Sequence, residues 1–317
     1  MCSADLKFFD LMICDEAHRC AGKADSIYAT VINNEMIPSK QRLFMTATPR
    51  IYKSHIVKKA SETGVDILSM DDEKSFGEVL HKLSFSDAIN NNPPLLSDYQ
   101  VVIIGVDHTT YAEMIDERTL VKTETDIQSN AQSLASHIGL LKSIKNYNLN
   151  RVITFHSRVK YAKQFSEDLS DVIDWIPIEN RPPGDFNTNY VSGDMPTHQR
   201  AIKLQSLSDV DEPDTHVLSN ARCLSEGVDV PALDGVAFID PKNSEIDIIQ
   251  AVGRAIRLSS NKVKGTIIIP VFVDSNEDVE TNLQSSSFKK IWAILNALRS
   301  HDDEFGEKLD EIRRGLG

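Results

Sequence analysis

Two adjacent carboxylates follow a short apolar run near the start of the chain. Asp15 and Glu16 come directly after Phe8–Cys14, and Ala17 and His18 complete the stretch. Carboxylates at the carboxyl end of a buried parallel strand lie where α/β sheets bind ligands, and such a pair suits Mg²⁺ binding and the orientation of a water molecule. The pattern predicts metal-assisted phosphate chemistry. Because an isolated acidic pair is more often a solvated turn at the end of a strand, that alternative stays open.

Two further stretches carry groups that suit a nucleotide. Thr46 and Thr48 follow a second short apolar run, and their hydroxyls either link a nucleotide site to a neighbouring element or simply cap a turn. Arg254 and Arg257 are three residues apart, which places them on one face of a predicted helix. Two guanidinium groups can clamp a polyphosphate and neutralise charge during γ-phosphate transfer, although surface arginines at this spacing are also common.

The elements that must position these residues are short apolar runs separated by segments of helix length. This pattern is typical of a largely parallel α/β sheet. We expect strands at Phe8–Cys14, Arg42–Thr46, Gln100–Val106, Arg151–Phe155, Asn189–Ser192, His216–Ser219, Gly235–Ile239 and Thr266–Val273. We expect helices at Ile127–Lys145, Val159–Leu169, Thr197–Leu207 and Ile246–Arg257.

A chain of 317 residues has the length of two domains. The run of three Asn and two Pro at Asn90–Pro94 is the clearest break, so we expect one domain at 1–92 and a second at 95–275. A helical extension is expected at 284–317. Its apolar residues Trp292, Leu295 and Leu298 suit packing against the second domain.

The composition restricts the class of protein. With 41% hydrophobic and 26% charged residues, the chain suits a soluble globular protein. It has neither an apolar run of the roughly 18 to 20 residues that a bilayer span needs nor a signal-peptide start. The four cysteines form no C-x-x-C pair, so we expect reduced thiols, a cytoplasmic protein and no membrane partner.

The net charge of −13 argues against a protein that coats nucleic acid with a basic surface. Some stretches are nevertheless locally basic, so a polyanion can be held in a confined groove. They are Arg151–Lys163, His198–Lys203 and Arg254–Lys264.

These stretches, in their order along the chain, resemble the motifs of the superfamily 2 helicases and translocases of the DEAH-box type. The resemblance covers nearly the whole chain: motif II at 15–18, III at 46–48, IV at 152–158, V at 218–231 and VI at 250–257. The stretches 69–89 and 292–299 are most similar to the restriction-associated branch of bacterial helicases. The resemblance implies RecA-like parallel sheets, ATP and Mg²⁺ as cofactors, and a nucleic-acid partner, with DNA expected.

The resemblance also implies roles for the residues of the first domain. Asp15 and Glu16 would form the metal site, with Asp15 holding Mg²⁺ through its water shell and Glu16 acting as general base on the attacking water. His18 would couple the nucleotide site to motif III, which contains Thr46 and Thr48.

In the second domain, Arg254 and Arg257 would be arginine fingers at the γ-phosphate, and Gln250 would help to place them. In motif V, Gly227 would let the backbone approach the nucleotide closely. Asp229 would bind a sugar hydroxyl or a motif VI arginine.

Nucleic acid would be held mainly at its phosphates, by hydroxyls, amides, backbone N–H groups and arginines that read no bases. Any one of these residues could equally be a helix cap or an exposed side chain. The candidates are Ser157, Arg158, Ser192, Gly193, Arg200, Ser219 and Asn220.

The sequence contains no G-x-x-x-x-G-K-[ST] phosphate-binding loop (P-loop), and the nearest stretch, Gly22-Lys23-Ala24, lacks the first glycine and the hydroxyl residue. We therefore expect an incomplete first RecA-like domain and a complete second one. One hypothesis is a nucleic-acid-dependent ATPase whose P-loop half is truncated or supplied elsewhere, with a chain that supplies this half, or restriction-system subunits, as partners. The other is a non-catalytic module that binds nucleic acid or a partner subunit.

Overall fold

The computed structural model describes residues 8–107, 131–221, 223, 233–240, 244–259, 262, 264–273 and 286–315. Two compact units divide the chain, Met1–Lys82 and Leu83–Gly317. The domain limits at 1–92, 95–275 and 284–317 stay predictions.

The first unit contains two small sheets. Strands β1 (Phe9–Cys14) and β3 (Ser39–Phe44) pair in parallel, with Cys14 opposite Phe44. Strands β2 (Gly22–Lys23) and β4 (Ile67–Leu68) pair antiparallel. The helices of this unit are α1 (Ser54–Glu62), α2 (Glu73–Phe76) and the 3₁₀ segments Ala17–Arg19 and Ile27–Ile32.

Strand β1 lies where the sequence predicts it, and one of its faces is an exposed apolar row. Phe9, Leu11 and Ile13 alternate along one face and are 42%, 52% and 57% exposed. Within the described residues, β1 pairs on one edge only, with β3. Because alternate side chains of a strand point to opposite faces, a two-stranded sheet leaves this apolar row uncovered.

The second unit is built on one six-stranded parallel sheet with the order β5-β10-β9-β6-β8-β7. The predicted α/β fold class with a parallel sheet is confirmed. Its strands are β5 (Asp98–Val106), β6 (Arg151–His156), β7 (Phe186–Ser192), β8 (Thr215–Ala221), β9 (Gly235–Asp240) and β10 (Lys264–Phe272).

Helices cover both faces of this sheet. Within the described residues, the predicted helices lie where the sequence places them, except that the predicted Ile246–Arg257 helix ends at Ala255 and leaves Arg257 outside it. A short helix precedes the first strand of this sheet. The helices are α3 (Phe85–Asn90), α4 (Ala131–Tyr147), α5 (Val159–Trp175), α6 (Thr197–Ser208), α7 (Glu245–Ala255), α8 (Ser286–His301) and α9 (Asp303–Gly315), and a 3₁₀ turn lies at Ile178–Asn180.

Alternation along the strands separates two cores. Val152 packs in the core that α4 and α5 complete, whereas its neighbour Ile153 packs in the core with α6, α7 and α8. Val217 and Leu218 divide between the two cores in the same way. Every residue of β8 is buried, as expected for an inner strand of a parallel sheet covered on both faces.

The C-terminal segment is helical and forms two helices within the described residues. The chain breaks at Asp302, whose carboxylate accepts the Phe305 N–H at 2.9 Å and so caps α9. Leu295 and Leu298 are buried as predicted, but Trp292 is 43% exposed. The buried positions Ile291, Leu295 and Leu298 recur at helical spacing, and Trp292 lies off that face.

No helix in the described part of the chain has the length and apolar character needed to cross a bilayer.

Candidate functional site

The acidic turn after β1 has a strained backbone. Glu16 adopts the left-handed conformation, with φ 50° and ψ 42°. Its N–H donates to Asp15 Oδ1 at 2.8 Å, while the Asp15 side chain remains exposed. A non-glycine residue in this region costs roughly 1–2 kcal/mol, and such strain is concentrated at functional sites.

A buried histidine connects this turn to the segment after β3. His18 is 5% exposed, and its Nδ1 lies 3.1 Å from Thr46 Oγ1 and 3.3 Å from Glu16 Oε2. Because an ionised carboxylate only accepts hydrogen bonds, a proton on Nδ1 suits both neighbours. Burial lowers the pKa of His18, and Glu16 opposes this effect only in part. We therefore expect a neutral imidazole at pH 7.

Backbone hydrogen bonds hold the ends of the same two strands together. Met45 N–H donates to the Cys14 carbonyl, and Ala17 N–H donates to the Met45 carbonyl, both at 2.9 Å. Thr48 N–H donates to Thr46 Oγ1 at 3.1 Å. The Thr48 hydroxyl is buried and makes no hydrogen bond within the residues that the structure describes. The parallel pairing thus brings Asp15, Glu16, His18, Thr46 and Thr48 to one edge of the first unit.

The donor set at this edge fits Mg²⁺. The described residues contain no group of three or more His, Cys, Asp or Glu that could hold a metal ion alone. Mg²⁺ keeps several waters and binds through one or two carboxylates together with phosphate oxygens, so Asp15 and Glu16 suffice. When bound there, the ion would neutralise phosphate charge.

The two candidate arginines differ in exposure. Helix α7 ends at Ala255, so Arg257 lies beyond it and is exposed, whereas Arg254 is 7% exposed. The buried amide oxygen of Gln250 makes no hydrogen bond within the described part of the chain.

The end of α7 is anchored by residues that the sequence did not single out. Lys262 Nζ donates to the carbonyls of Ala255 at 2.7 Å and Leu233 at 3.0 Å. Burial lowers the pKa of Lys262 to about 8, against the opposing effect of Asp234. Ser97 N–H and Oγ both donate to the Ile256 carbonyl, at 2.8 and 3.0 Å. The backbone between the two arginines is therefore fixed.

The candidate nucleic-acid residues lie at the carboxyl ends of three neighbouring strands. Ser157 follows β6, Asn220 lies near the end of β8, and Ser192 ends β7 with Gly193 just beyond it. Because the sheet order is β6-β8-β7 and adjacent strands lie about 4.8 Å apart, these residues form a row.

Exposure divides this row into surface and buried members. Arg158 and Gly193 are exposed, and the Arg158 guanidinium lies 5.7 Å from the Tyr161 ring centroid. Ser219 is fully buried, and its hydroxyl accepts from Thr154 at 3.0 Å, so its side chain is not positioned to contact a phosphate.

The side chains of Ser192 and Asn220 are also buried. Arg200 donates to Thr197 Oγ1 at 3.2 Å and lies 3.8 Å from Cys223 Sγ, while Cys223 N–H donates to Asn220 Oδ1. These contacts link the first turn of α6 to the end of β8 and the residue Cys223 beyond it. Gly227 and Asp229 lie outside the described residues.

A second polar group near this row was also missed by the sequence analysis. The Ser157 hydroxyl donates to Asp240 Oδ2 at 2.5 Å, and Lys290 Nζ donates to Asp240 Oδ1 at 2.9 Å. No sequence signal connects these residues, because Lys290 is 50 positions from Asp240 and lies on α8.

Two family models match this chain. "Helicase conserved C-terminal domain" matches residues 134–259, and "Type III restriction enzyme, res subunit" matches residues 3–51. Among solved structures, the ATP-dependent Type ISP restriction-modification enzyme LlaBIII bound to DNA is similar at a TM-score of 0.77 and 30% identity, over 97% of this chain. The chain belongs to the superfamily 2 helicases of the restriction-associated type.

Two curated relatives are similar to parts of this chain. A "Probable helicase" of African swine fever virus is 26% identical over 303 residues, 95% of this chain. The UvrABC system protein B of Clostridium botulinum is 31% identical over 107 residues, 32% of this chain and 14% of the relative. This superfamily 2 chain spans 30% of the viral relative and 21% of the restriction enzyme.

Proposed function

We propose that these residues belong to a DEAH-type, DNA-dependent ATPase motor of a restriction or defence system. Asp15 and Glu16 hold Mg²⁺, with Glu16 as general base, and Thr46 and Thr48 contact the nucleotide site. Gly227 and Asp229 also contact the nucleotide. Arg254 and Arg257 neutralise charge at the γ-phosphate, and Gln250 places them.

DNA is held at its phosphates by the surface members of the strand-end row. Backbone N–H groups at Ser157 and Gly193, together with the guanidinium groups of Arg158 and Arg200, provide the donors, and the buried Asn220 helps to position them. The buried side chains of Ser192 and Ser219 help to hold these donors in position. Such contacts read no bases, which suits a motor that moves along any sequence.

The hydrogen bond between His18 and Thr46 supports the motor most directly. A motor must pass the state of its nucleotide site to the elements that move, and this contact joins the acidic turn to the segment after β3. A solvated acidic turn would need neither the buried imidazole nor the left-handed Glu16.

Hydrolysis by these residues requires a P-loop that the printed sequence does not contain. We propose that the P-loop comes from another part of the same polypeptide or from a partner chain. The chain by itself then binds DNA and shows no turnover above a Glu16→Gln background.

The test measures ATP hydrolysis with and without single- and double-stranded DNA. The samples are this chain, the full reading frame of its gene, and both with Glu16→Gln. DNA-stimulated turnover by the full reading frame, abolished by Glu16→Gln, is the expected result. Turnover insensitive to Glu16→Gln would overturn the proposed role of the acidic turn.

A second candidate function is a non-catalytic module that binds nucleic acid or a subunit. One observation favours it: all seven candidate nucleic-acid residues lie in the second unit, which has its own cores on both faces of the sheet. DNA binding without turnover by the full reading frame would select this function.

A further inference from the structure

The row of candidate phosphate contacts has a neighbour at the end of β9. In the sheet, β9 lies beside β6 on the side opposite β8. Its last residue is Asp240, so a carboxylate comes next to Ser157 in the row. A carboxylate in that place repels a phosphate unless a cation compensates it.

Asp240 is ionised at neutral pH. Burial by itself would raise its pKa, but the hydrogen bonds from Ser157 and Lys290 and the charge of Lys290 lower the pKa below its usual range. The only hydroxyl proton of Ser157 points to this carboxylate. The Ser157 side chain therefore has no proton to donate to a phosphate.

Lys290 supplies the missing cation. Its Nζ lies 2.9 Å from Asp240 Oδ1, and the side chains of Lys290 and Asp240 are 27% and 32% exposed. An ammonium group carries three N–H donors, and the bond to Asp240 uses one of them. This geometry holds the ammonium at the strand ends and within reach of solvent.

We infer that Lys290 binds a backbone phosphate of the DNA and so extends the row of phosphate contacts past Ser157; this inference rests on the proposed function. Asp240 is the residue that positions its ammonium. Helix α8, which lies outside motifs II to VI, would thus form part of the nucleic-acid interface.

The experiment measures binding of labelled single- and double-stranded DNA by fluorescence anisotropy across a series of salt concentrations. The variants are Lys290→Met, Lys290→Arg and Lys289→Met. Lys289 is the matched control because it is exposed on the same helix and its replacement changes the net charge equally.

Loss of one phosphate contact lowers the slope of log K against log salt by about 0.7 for single strands and about 0.9 for duplex. We expect this change for Lys290→Met, with binding weakened roughly fivefold or more at about 0.1 M salt, and restoration by Lys290→Arg. Lys289→Met should leave the slope unchanged, because a charge that contacts no phosphate releases no counterion.

The double variant Lys290→Met/Asp240→Asn separates contact from neutralisation. It removes the uncompensated carboxylate, so folding is protected if Lys290→Met alone is unstable. A reduced slope in the double variant supports the inference, whereas a wild-type slope means that Lys290 only neutralises Asp240 and overturns it.

If the wild-type chain binds DNA but Lys290→Met and Lys289→Met change the binding equally, the inference is overturned and the proposed function is not. Absence of DNA binding by the wild-type chain would overturn both.

Discussion

His18 Nδ1 lies 3.1 Å from Thr46 Oγ1, although the two residues are 28 positions apart in the chain. The parallel pairing of β1 and β3 produces this contact, because it brings the carboxyl ends of both strands together. The Thr46 hydroxyl oxygen also accepts a hydrogen bond from the Thr48 N–H, so this one oxygen contacts both the acidic turn and the segment after β3.

Replacing Thr46 with Val should loosen this edge. The substitution keeps the shape of the side chain but leaves the Thr48 N–H without its acceptor and the imidazole with one neighbour fewer, at a cost of about 1 kcal/mol. We expect amide hydrogen exchange of residues 15–20 and 46–48 to rise roughly fivefold. In the full reading frame, DNA stimulation of ATP hydrolysis should be lost. Thr46→Ser keeps the hydroxyl and is the control; equal effects of both variants would contradict the coupling role.

Two glycines near the arginines should respond in opposite ways to Ala. A Cβ at Gly253, inside α7, meets nothing within 4 Å, so Gly253→Ala should stabilise the second unit by roughly 0.5–1 kcal/mol. A Cβ at Gly265 would lie 2.4 Å from the Ala255 carbonyl oxygen, so Gly265→Ala should destabilise by about 1–3 kcal/mol. Chemical denaturation measures both. If Gly253→Ala is stable yet lowers ATP hydrolysis by the full reading frame, the open space beside Gly253 serves a ligand.

The buried His156 should make the second unit sensitive to acid. Burial lowers its pKa to about 3, and its Nε2 lies 2.9 Å from Thr154 Oγ1. The unfolded state binds the proton near pH 6.5, so stability falls as the pH decreases from about 6.5 towards 3.

His156→Gln removes this titration. Between pH 7.5 and 5, the wild type should therefore lose about 1–2 kcal/mol more of its free energy of unfolding than the variant loses. Other groups with lowered pKa values also make the folded state less stable as the pH decreases, so the difference between variant and wild type is the quantity to measure. These groups are His137, His216, Asp98 and Asp240. Denaturant titrations at the two pH values provide it. Identical pH dependence of both proteins would show that His156 is not a neutral buried group.

The hydroxyl group of Tyr99, on β5, should help to hold the start of α9 in place. Tyr99 Oη donates to Asp302 Oδ2 at 2.7 Å, and Asp302 is 4% exposed. Tyr99→Phe leaves a buried carboxylate with one partner fewer, so we expect a loss of about 1.5–3 kcal/mol and faster hydrogen exchange in residues 303–311. Tyr147→Phe, at an exposed position on α4, is the control and should change neither. A wild-type exchange rate in Tyr99→Phe would show that α9 is held by its apolar contacts alone.

The sequence by itself determined the elements and the family. Alternating and helical apolar spacing is a property of neighbouring residues, so strands such as β6 and helices such as α5 lie where the pattern predicts them. The order of the motifs from Asp15 to Arg257 was enough to indicate a superfamily 2 helicase. The predicted roles of these residues remain proposals.

Only the tertiary structure decided which of these residues meet and which are exposed. Ser219, near the end of β8, is fully buried, whereas Arg158, two residues after β6, is exposed. Trp292 lies off the buried face of α8, and Lys290 reaches Asp240 across 50 positions. The order of strands and the packing of helices on them depend on contacts between distant parts of the chain, which local periodicity does not record.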